Sequence, residues 1–285
     1  MIEKERIAFL VGMPRAATTF LYHNFNLHPE IFVPYRRKTN YFSLHPNAGE
    51  DWFLSHFKDA PENAVIMDTE TLAFVNADLN SPELIRQFNK NAKIILCVRD
   101  PAAWAVSFYN QISTFDSEMP EFEQFLAGDY TLVEDGKAIS FNMGEGSVSA
   151  RFKEYEQLFP NSILILKFPD VIESPLTVLQ KIEHFLGISS FYSESNIITK
   201  KINSSDRKHN KFINKILRNE QLITLVKKLL PRDLVLFIRL KFDTLSSSKS
   251  NSSEESSMGA EFNKMLALAQ THYRTDIKEL EKYIY

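Results

Sequence analysis

Two short stretches of the chain combine basic and hydroxyl side chains in a pattern that suits phosphate. In the first, FLVGMPRAATTFLYHNF at residues 9–25, an apolar strand-like run breaks at Gly12 and continues into a helix whose first turn carries Thr18 and Thr19. The first amides of a helix have no partner within it, and at such a corner they point outward. We therefore expect an anion, and phosphate in particular, at this turn.

This corner lacks the lysine of the commonest phosphate-binding loop, which reads G-x-x-x-x-G-K-[ST]. Here Gly12 is followed at the corresponding positions by Ala17 and Thr18. Backbone amides, two hydroxyls and Arg15 remain, and they suit one terminal 5′-phosphate better than a triphosphate. A P-loop kinase or hydrolase is therefore the less favoured alternative.

The second stretch, IILCVRDPAAWAVSFYNQ at residues 94–111, reads as a buried strand that ends on Arg99. Pro101 opens a helix, and Ser107 lies eight residues after Arg99, two helical turns on. Ligands of parallel α/β sheets lie beyond the carboxyl ends of the strands. An arginine fork and a hydroxyl there predict a second anion site, away from the first.

Together the two stretches resemble the signature of sulfotransferases that use 3′-phosphoadenosine 5′-phosphosulfate (PAPS). In that family a loop close to P-[KR]-x-G-T-T binds the 5′-phosphosulfate, and residues 14–19 match it with Ala17 in the glycine position. A second motif, R-[DN]-P with a serine eight residues after the arginine, binds the 3′-phosphate and matches Arg99 and Ser107. Further matches in the family's order extend the resemblance over about residues 6–190: His28-Pro29, Tyr41-Phe42, Phe168-Pro169-Asp170 and Phe185-Leu186-Gly187.

The resemblance implies sulfuryl transfer from PAPS to a hydroxyl acceptor, a glycan or another small hydroxylated molecule, with no metal ion. The donor-binding residues that it implies are Arg15, Ala16, Ala17, Thr18, Thr19, Phe20, Arg99, Ser107 and, from a looser match at 203–209, Arg207 and Lys208. Ala17 departs from the family's glycine, so a left-handed conformation there would cost about 1 kcal/mol or more.

Transfer also needs positive charge on the sulfonate and a group that takes the acceptor's proton. A glycan-modifying branch of the family has a glutamate base where this chain has Lys38, and in the cytosolic branch a histidine base stands where this chain has Glu70. We predict Glu70 as the base with Asp68 in reserve, and Arg15 and Lys38 as the charges on the sulfonate. The alternative, that both carboxylates only cap the next turn or pair with Arg15 and Lys38, remains open.

The surrounding sequence predicts one α/β domain over residues 1–285, P-loop-like, with a mostly parallel central sheet flanked by helices and a helical C-terminal part. Four short apolar runs without alternation read as parallel strands covered on both faces: 7–11, 65–67, 94–98 and 163–166. A capped helix is predicted over 175–186, with Ser174 before it and Gly187 as its terminator.

The last quarter of the chain has a different character. Residues 212–230 are apolar at helical spacing, and 261–283 are predicted to form one amphipathic helix. Between them, SSSKSNSSEESS at 246–257 is expected to be a flexible surface loop within the domain rather than a boundary.

Composition narrows the classes of function. The net charge of −3 argues against a nucleic-acid-binding protein, and the single cysteine, Cys97, lies in an apolar run and is expected to be buried rather than nucleophilic. No leader or membrane span is evident, so a cytoplasmic location is expected, and the sequence gives no indication of oligomeric state. Because Lys38 and Ala17 depart from the family's pattern, a nucleotide- or glycan-binding protein without catalysis stays as a further alternative.

Overall fold

The computed structural model describes residues 2–34, 38–114, 116, 118–128, 130–134, 136–199 and 254–285. Its strands are β1 (Ile7–Gly12), β2 (Ile31–Phe32), β3 (Val65–Thr69), β4 (Lys93–Val98), β5 (Thr131–Glu134), β6 (Lys137–Ser140) and β7 (Ile163–Lys167). Five of them form one sheet in the order β2-β3-β1-β4-β7, and every pairing in it is parallel. The other two, β5 and β6, form an antiparallel hairpin.

Helices surround this sheet, so the α/β class expected from the sequence is confirmed. They are α1 (Thr18–Phe25), α2 (Tyr41–Leu44), α3 (Glu50–Ser55), α4 (Ser81–Phe88), α5 (Pro101–Ile112), α6 (Phe122–Leu126), α7 (Ser147–Leu158), α8 (Phe168–Glu173), α9 (Pro175–Leu186), α10 (Glu254–His272) and α11 (Arg274–Ile284). All six residues of β1 are buried, as are five of the six in β4, because helices cover both faces of these strands.

The four predicted strands are confirmed, and each is one to two residues longer than its apolar run. The predicted helix α9 is confirmed as well, and Gly187 ends it in the left-handed conformation with φ 72°. Ser174 stands at the start of α9 as expected, but its side chain makes no capping hydrogen bond.

The prediction of one helix over 261–283 is wrong, because the chain breaks into α10 and α11 at Tyr273. Tyr273 is fully buried and its hydroxyl donates to the carbonyl of Met143 at 2.9 Å, while the Asp276 carboxylate accepts the amides of Gly146 and Ser149 at 2.7 Å each. These anchors redirect the chain. The prediction of a loop over 246–257 is wrong at its end, because α10 begins at Glu254. The rest of that tract and the helix expected at 212–230 lie outside the described residues.

The sharp corner after β1 depends on a glycine for reasons of packing. A Cβ on Gly12 would stand 2.5 Å from Leu96 Cδ1 and 3.0 Å from Phe74 Cδ2. The register between β1 and β4 also shifts between Leu10 and Gly12. The backbone is thus drawn tightly against β4 before it turns, which brings the ends of the two strands together.

Candidate active site

The loop from β1 to α1 has two residues in the left-handed conformation, Arg15 with φ 69° and Ala17 with φ 58°. The loop is tied down by the amide of Met13, which donates to the carbonyl of Cys97 at 2.8 Å. Within the described part of the chain, the amides of residues 17–20 donate to no backbone carbonyl. Such unpaired amides at a helix N-terminus are suited to an anion.

Arg99 stands at the end of β4, where the sequence predicted it, and it binds the first loop directly. Its Nη1 donates to the carbonyl of Arg15 at 2.9 Å, and Arg15 Nε donates to Ser107 Oγ at 3.2 Å. The sequence suggested two anion sites apart from each other. In the structure they adjoin, because β1 and β4 are neighbours and their loops share these hydrogen bonds.

Two further residues position Arg99 and the helix after it. The guanidinium of Arg99 lies 4.7 Å from the ring centroid of Phe168, and Asp100 Oδ1 caps α5 by accepting the amide of Ala103 at 2.8 Å. Burial lowers the pKa of Arg99, but an arginine remains protonated at physiological pH. The sequence indicated Phe168 only as a match to the family and did not predict this contact. The contact forms because β7 pairs with β4 and α8 begins directly after β7.

Asp68 and Glu70 lie at the end of β3 and both are fully buried. The hydroxyl of Thr39 lies between them, 2.7 Å from Asp68 Oδ2 and 2.9 Å from Glu70 Oε1. Ser43 Oγ donates to Glu70 Oε2 at 2.8 Å, and the amide of Thr69 donates to Asp68 Oδ1 at 2.9 Å. Three donors thus converge on two neighbouring carboxyl groups, and the amide of Tyr41 donates to the Thr39 hydroxyl at 3.3 Å.

Among the described residues, the structure shows neither of the two alternative roles of these carboxylates, capping of the next turn or an ion pair with Arg15 or Lys38. The Glu70 side chain makes no capping hydrogen bond to the turn that follows it. Among the described residues, no lysine, arginine or histidine nitrogen lies within ion-pair distance of Asp68 or Glu70. Their partners are hydroxyls and amides.

Burial sets the ionisation of the pair. It raises the pKa of Glu70 to about 8, with the charge of Asp68 as the second cause, and it raises the pKa of Asp68 to about 6. The hydroxyls of Thr39 and Ser43 act in the opposite direction, since they stabilise the ionised forms. Two carboxyl groups whose environments separate their pKa values are a common feature of sites that move protons.

Sequence reasoning missed Thr39 and Ser43, because isolated hydroxyl residues in a loop carry no pattern of their own. They belong to the segment 38–44, in which Asn40 adopts φ 53° immediately before α2. The segment is held from outside by Asn76, whose Nδ2 donates to the carbonyl of Ser43 at 2.6 Å, and by Lys137, whose Nζ donates to that of Leu44 at 2.6 Å. This bracing fixes both hydroxyls against the carboxyl groups.

The remaining predicted residues are placed as follows. Lys38 is half-buried and directly precedes Thr39, so it lies beside the carboxyl pair in sequence. Arg207 and Lys208 lie outside the described residues. Within the described ranges no three His, Cys, Asp or Glu side chains are grouped as metal ligands, and no helix there has the length and apolar character needed to cross a bilayer.

Comparison with known proteins adds a family assignment to this geometry. Residues 5–234 match the family model described as the sulfotransferase domain. The chain is 22% identical over 193 residues to the mouse (Mus musculus) heparan sulfate glucosamine 3-O-sulfotransferase 3A1, which covers 66% of this chain and 47% of that protein. It is 30% identical over 103 residues to the membrane-associated sulfotransferase kil1 of Dictyostelium discoideum, covering 35% of this chain and 22% of that protein.

The chain thus spans about half or less of the length of these curated relatives. Among solved structures, a sulfotransferase from Alicyclobacillus acidocaldarius superposes with a TM-score of 0.53 at 17% identity, covering 78% of this chain and 97% of that one. At that identity the superposition supports the fold alone.

Proposed function

Since the chain belongs to the sulfotransferase domain family, we propose that it transfers a sulfuryl group from PAPS to a hydroxyl acceptor. The observation that carries the proposal is the contact between the two anion loops. Arg15 binds Ser107, and Arg99 binds the carbonyl of Arg15. A ligand with phosphates at both its 5′ and 3′ ends would use both loops at once, whereas a 5′-phosphate alone would use one.

In this proposal the donor is held entirely by groups of this chain. Arg15, the hydroxyls of Thr18 and Thr19 and the amides at the start of α1 would hold the 5′-phosphosulfate, and Arg99 with Ser107 would hold the 3′-phosphate. As the sulfuryl group departs, negative charge grows on the bridging oxygen, and the fixed charge of Arg15 stabilises it. The left-handed conformation of Arg15 supports this role, because strained backbone is often retained at ligand-binding loops.

A glycan hydroxyl is the acceptor that we propose. A relative that aligns over two thirds of this chain is named for sulfating glucosamine in heparan sulfate, a sugar chain. Lys38 lies in the segment next to the carboxyl pair, and we assign it to the sulfonate oxygens. A basic residue there also favours an acidic or sugar-like acceptor over a flat phenol.

The acceptor's proton goes, in this proposal, to the pair formed by Asp68 and Glu70, with Glu70 as the base. Because both carboxyl groups are fully buried, the proton reaches them through a hydroxyl that contacts them, that of Thr39 or Ser43. A positioned base of this kind contributes about 10²–10⁴-fold to turnover.

The test of donor binding is calorimetry with two nucleotides. Wild-type protein should bind adenosine 3′,5′-bisphosphate at least about ten-fold more tightly than adenosine 5′-phosphate, since a charge-assisted fork contributes about 1.5–3 kcal/mol. Arg99→Ala should erase this preference. Arg86→Ala is the control, because Arg86 lies on α4 and its hydrogen bond within the described part of the chain goes to the carbonyl of Lys90. Equal affinities for the two nucleotides in wild-type protein would overturn the donor assignment.

The test of the base is turnover at saturating donor. Glu70→Gln should slow turnover by about 10²–10⁴-fold with donor affinity nearly unchanged. Lys38→Ala should also slow it, through lost charge on the sulfonate. If Asp68→Asn abolishes turnover while Glu70→Gln does not, the base is Asp68. If the protein binds the bisphosphate and transfers nothing to any acceptor, it is a binding protein on this fold.

A further inference from the structure

The hydroxyl of Thr39 has one proton, but it lies within hydrogen-bond distance of two carboxyl groups. Its Oγ1 lies within hydrogen-bond distance of Asp68 Oδ2 (2.7 Å) and Glu70 Oε1 (2.9 Å), and it accepts the amide of Tyr41 at 3.3 Å. A hydroxyl supplies one proton and two lone pairs. It can donate to only one of the two carboxyl groups, so the other makes a favourable hydrogen bond with this hydroxyl only if it donates in return.

We propose that Asp68, Thr39 and Glu70 form a proton-sharing unit that retains one proton at neutral pH, with Thr39 as the positioning residue that bridges the two carboxyl groups. The proposal deepens the assignment of this pair as the base, and only its effect on turnover rests on that proposed function. The proton on the unit is a property of the free protein.

One protonated carboxyl group satisfies every polar atom of the unit. With the proton on Glu70, its Oε1 donates to Thr39, and Thr39 donates to Asp68 Oδ2. The other oxygens are already filled, since Glu70 Oε2 accepts from Ser43 at 2.8 Å and Asp68 Oδ1 accepts the amide of Thr69 at 2.9 Å. With both groups ionised, one carboxylate oxygen would face a lone pair of Thr39 at less than 3 Å in a fully buried site.

Among the residues that the structure describes, no basic group lies close enough to the two carboxyl groups to replace the proton by an ion pair. The segment 38–44, the turn after β3, α4, α7 and the β5-β6 hairpin pack around this region, and β1 contributes no titratable residue. The titratable and charged groups of the described residues on these elements are Lys38, Tyr41, Glu83, Arg86, Glu134, Lys137, Arg151, Lys153, Glu154, Tyr155 and Glu156. Helix α1, which contacts β3, adds Tyr22 and His23.

Several of these groups have other partners. Arg151 pairs with Glu154 at 2.9 Å, and Lys137 donates to the carbonyl of Leu44. Within the described ranges none of the basic groups comes within ion-pair distance of the carboxyl groups. Tyr155 stays a neutral phenol, because burial raises its pKa.

In the state with one proton, the Thr39 hydroxyl makes two hydrogen bonds to the carboxyl groups, one as acceptor and one as donor. In the fully ionised state it makes only one, as donor. Removing the hydroxyl therefore weakens the first state more than the second. Thr39→Val should lower the pH at which the unit loses its last proton by about one unit, the equivalent of one hydrogen bond. Thr39→Ser keeps the hydroxyl and should keep the wild-type midpoint.

The chain offers a matched control in the same strand. The hydroxyl of Thr69 is buried between the two carboxyl residues in sequence but has no hydrogen-bond partner. Thr69→Val therefore makes the same chemical change one residue from each carboxyl group. It should leave the titration of the unit unchanged.

The experiment is carbon NMR of the side-chain carboxyl groups in the full chain, labelled at Asp and Glu and titrated from pH 5 to 9 without any substrate. In wild-type protein we expect the signal of one carboxyl group that is still protonated at pH 7. This signal should be absent in Glu70→Gln or Asp68→Asn, and the midpoint of its titration should be lowered in Thr39→Val only. Full ionisation of both groups at pH 7 in wild-type protein would overturn the proposal, as would equal midpoints in Thr39→Val, Thr39→Ser and Thr69→Val.

A second readout is the dependence of turnover on pH. If the pair is the base, turnover should rise as the last proton is lost, and its midpoint should move with the NMR midpoint across the three variants. A protonated carboxyl group in a protein that transfers no sulfate would leave the proton-sharing unit intact and refute the proposed function. Normal turnover with both carboxyl groups ionised would refute the unit alone.

Discussion

Replacing Ala17 by glycine should stabilise the protein, although it removes a methyl group. Ala17 has φ 58° and ψ 15°, a left-handed conformation that costs a residue with a Cβ roughly 1–2 kcal/mol. Glycine does not have that cost, but it lowers the stability by about 0.4–1 kcal/mol because the unfolded chain gains conformational entropy. The balance favours Ala17→Gly by about 0.5–1 kcal/mol in the free energy of unfolding.

The neighbouring alanine provides the control. Ala16 is fully buried and does not have a positive φ, so Ala16→Gly only loses packing and adds unfolded-state entropy, and it should destabilise by about 1 kcal/mol. Urea unfolding of both variants measures the difference. We expect the free energy of unfolding to rise in Ala17→Gly and to fall in Ala16→Gly. If Ala17→Gly destabilises as much as Ala16→Gly, the left-handed assignment of the loop is wrong.

Three further outcomes follow from the packing and the charges. Gly12→Ala should destabilise by about 1–3 kcal/mol in thermal unfolding, because its Cβ would meet Leu96 at 2.5 Å; unchanged stability would contradict the tight corner. Glu183→Ala should cost about 2–4 kcal/mol, since it leaves the buried amide of Tyr192 and the half-buried amide of Phe191 without their acceptor, whereas the exposed Glu194→Ala should not change stability in the same assay. Finally, burial raises the pKa of Glu70 above its ordinary value of 4.5, so the folded state holds a proton that the unfolded chain releases, and the free energy of unfolding should fall as pH rises from about 5 to 8. Glu70→Gln should flatten that slope, and an unchanged slope would contradict the raised pKa.

The elements that position the site were accessible from the sequence because each has a local cause. Uninterrupted apolar runs predict strands buried on both faces, and Arg99 at the end of one such run marks the edge where ligands bind. The glycine at 187 ends α9 because it alone adopts φ 72° without cost. These features depend on a few neighbouring residues, so a single sequence reveals them.

Features that depend on distant contacts were not accessible. The break at Tyr273 is caused by a hydrogen bond to Met143, 130 residues away in the chain. The adjacency of the two anion loops follows from the order of the strands, and the bridging role of Thr39 follows from the way segment 38–44 folds over β3. No periodicity or motif in those residues records such pairings.

We propose that the two adjoining loops bind a sulfuryl donor for transfer to a sugar hydroxyl. The most direct measurement is the transfer of labelled sulfur from PAPS to a panel of glycans, lipids and small alcohols by wild-type protein and by Arg15→Ala. We expect label on a glycan with the wild type, and in Arg15→Ala a loss of turnover that exceeds its loss of affinity for adenosine 3′,5′-bisphosphate. Absence of label on every acceptor, or an Arg15→Ala variant that binds the bisphosphate weakly yet turns over normally at saturation, would contradict this proposal.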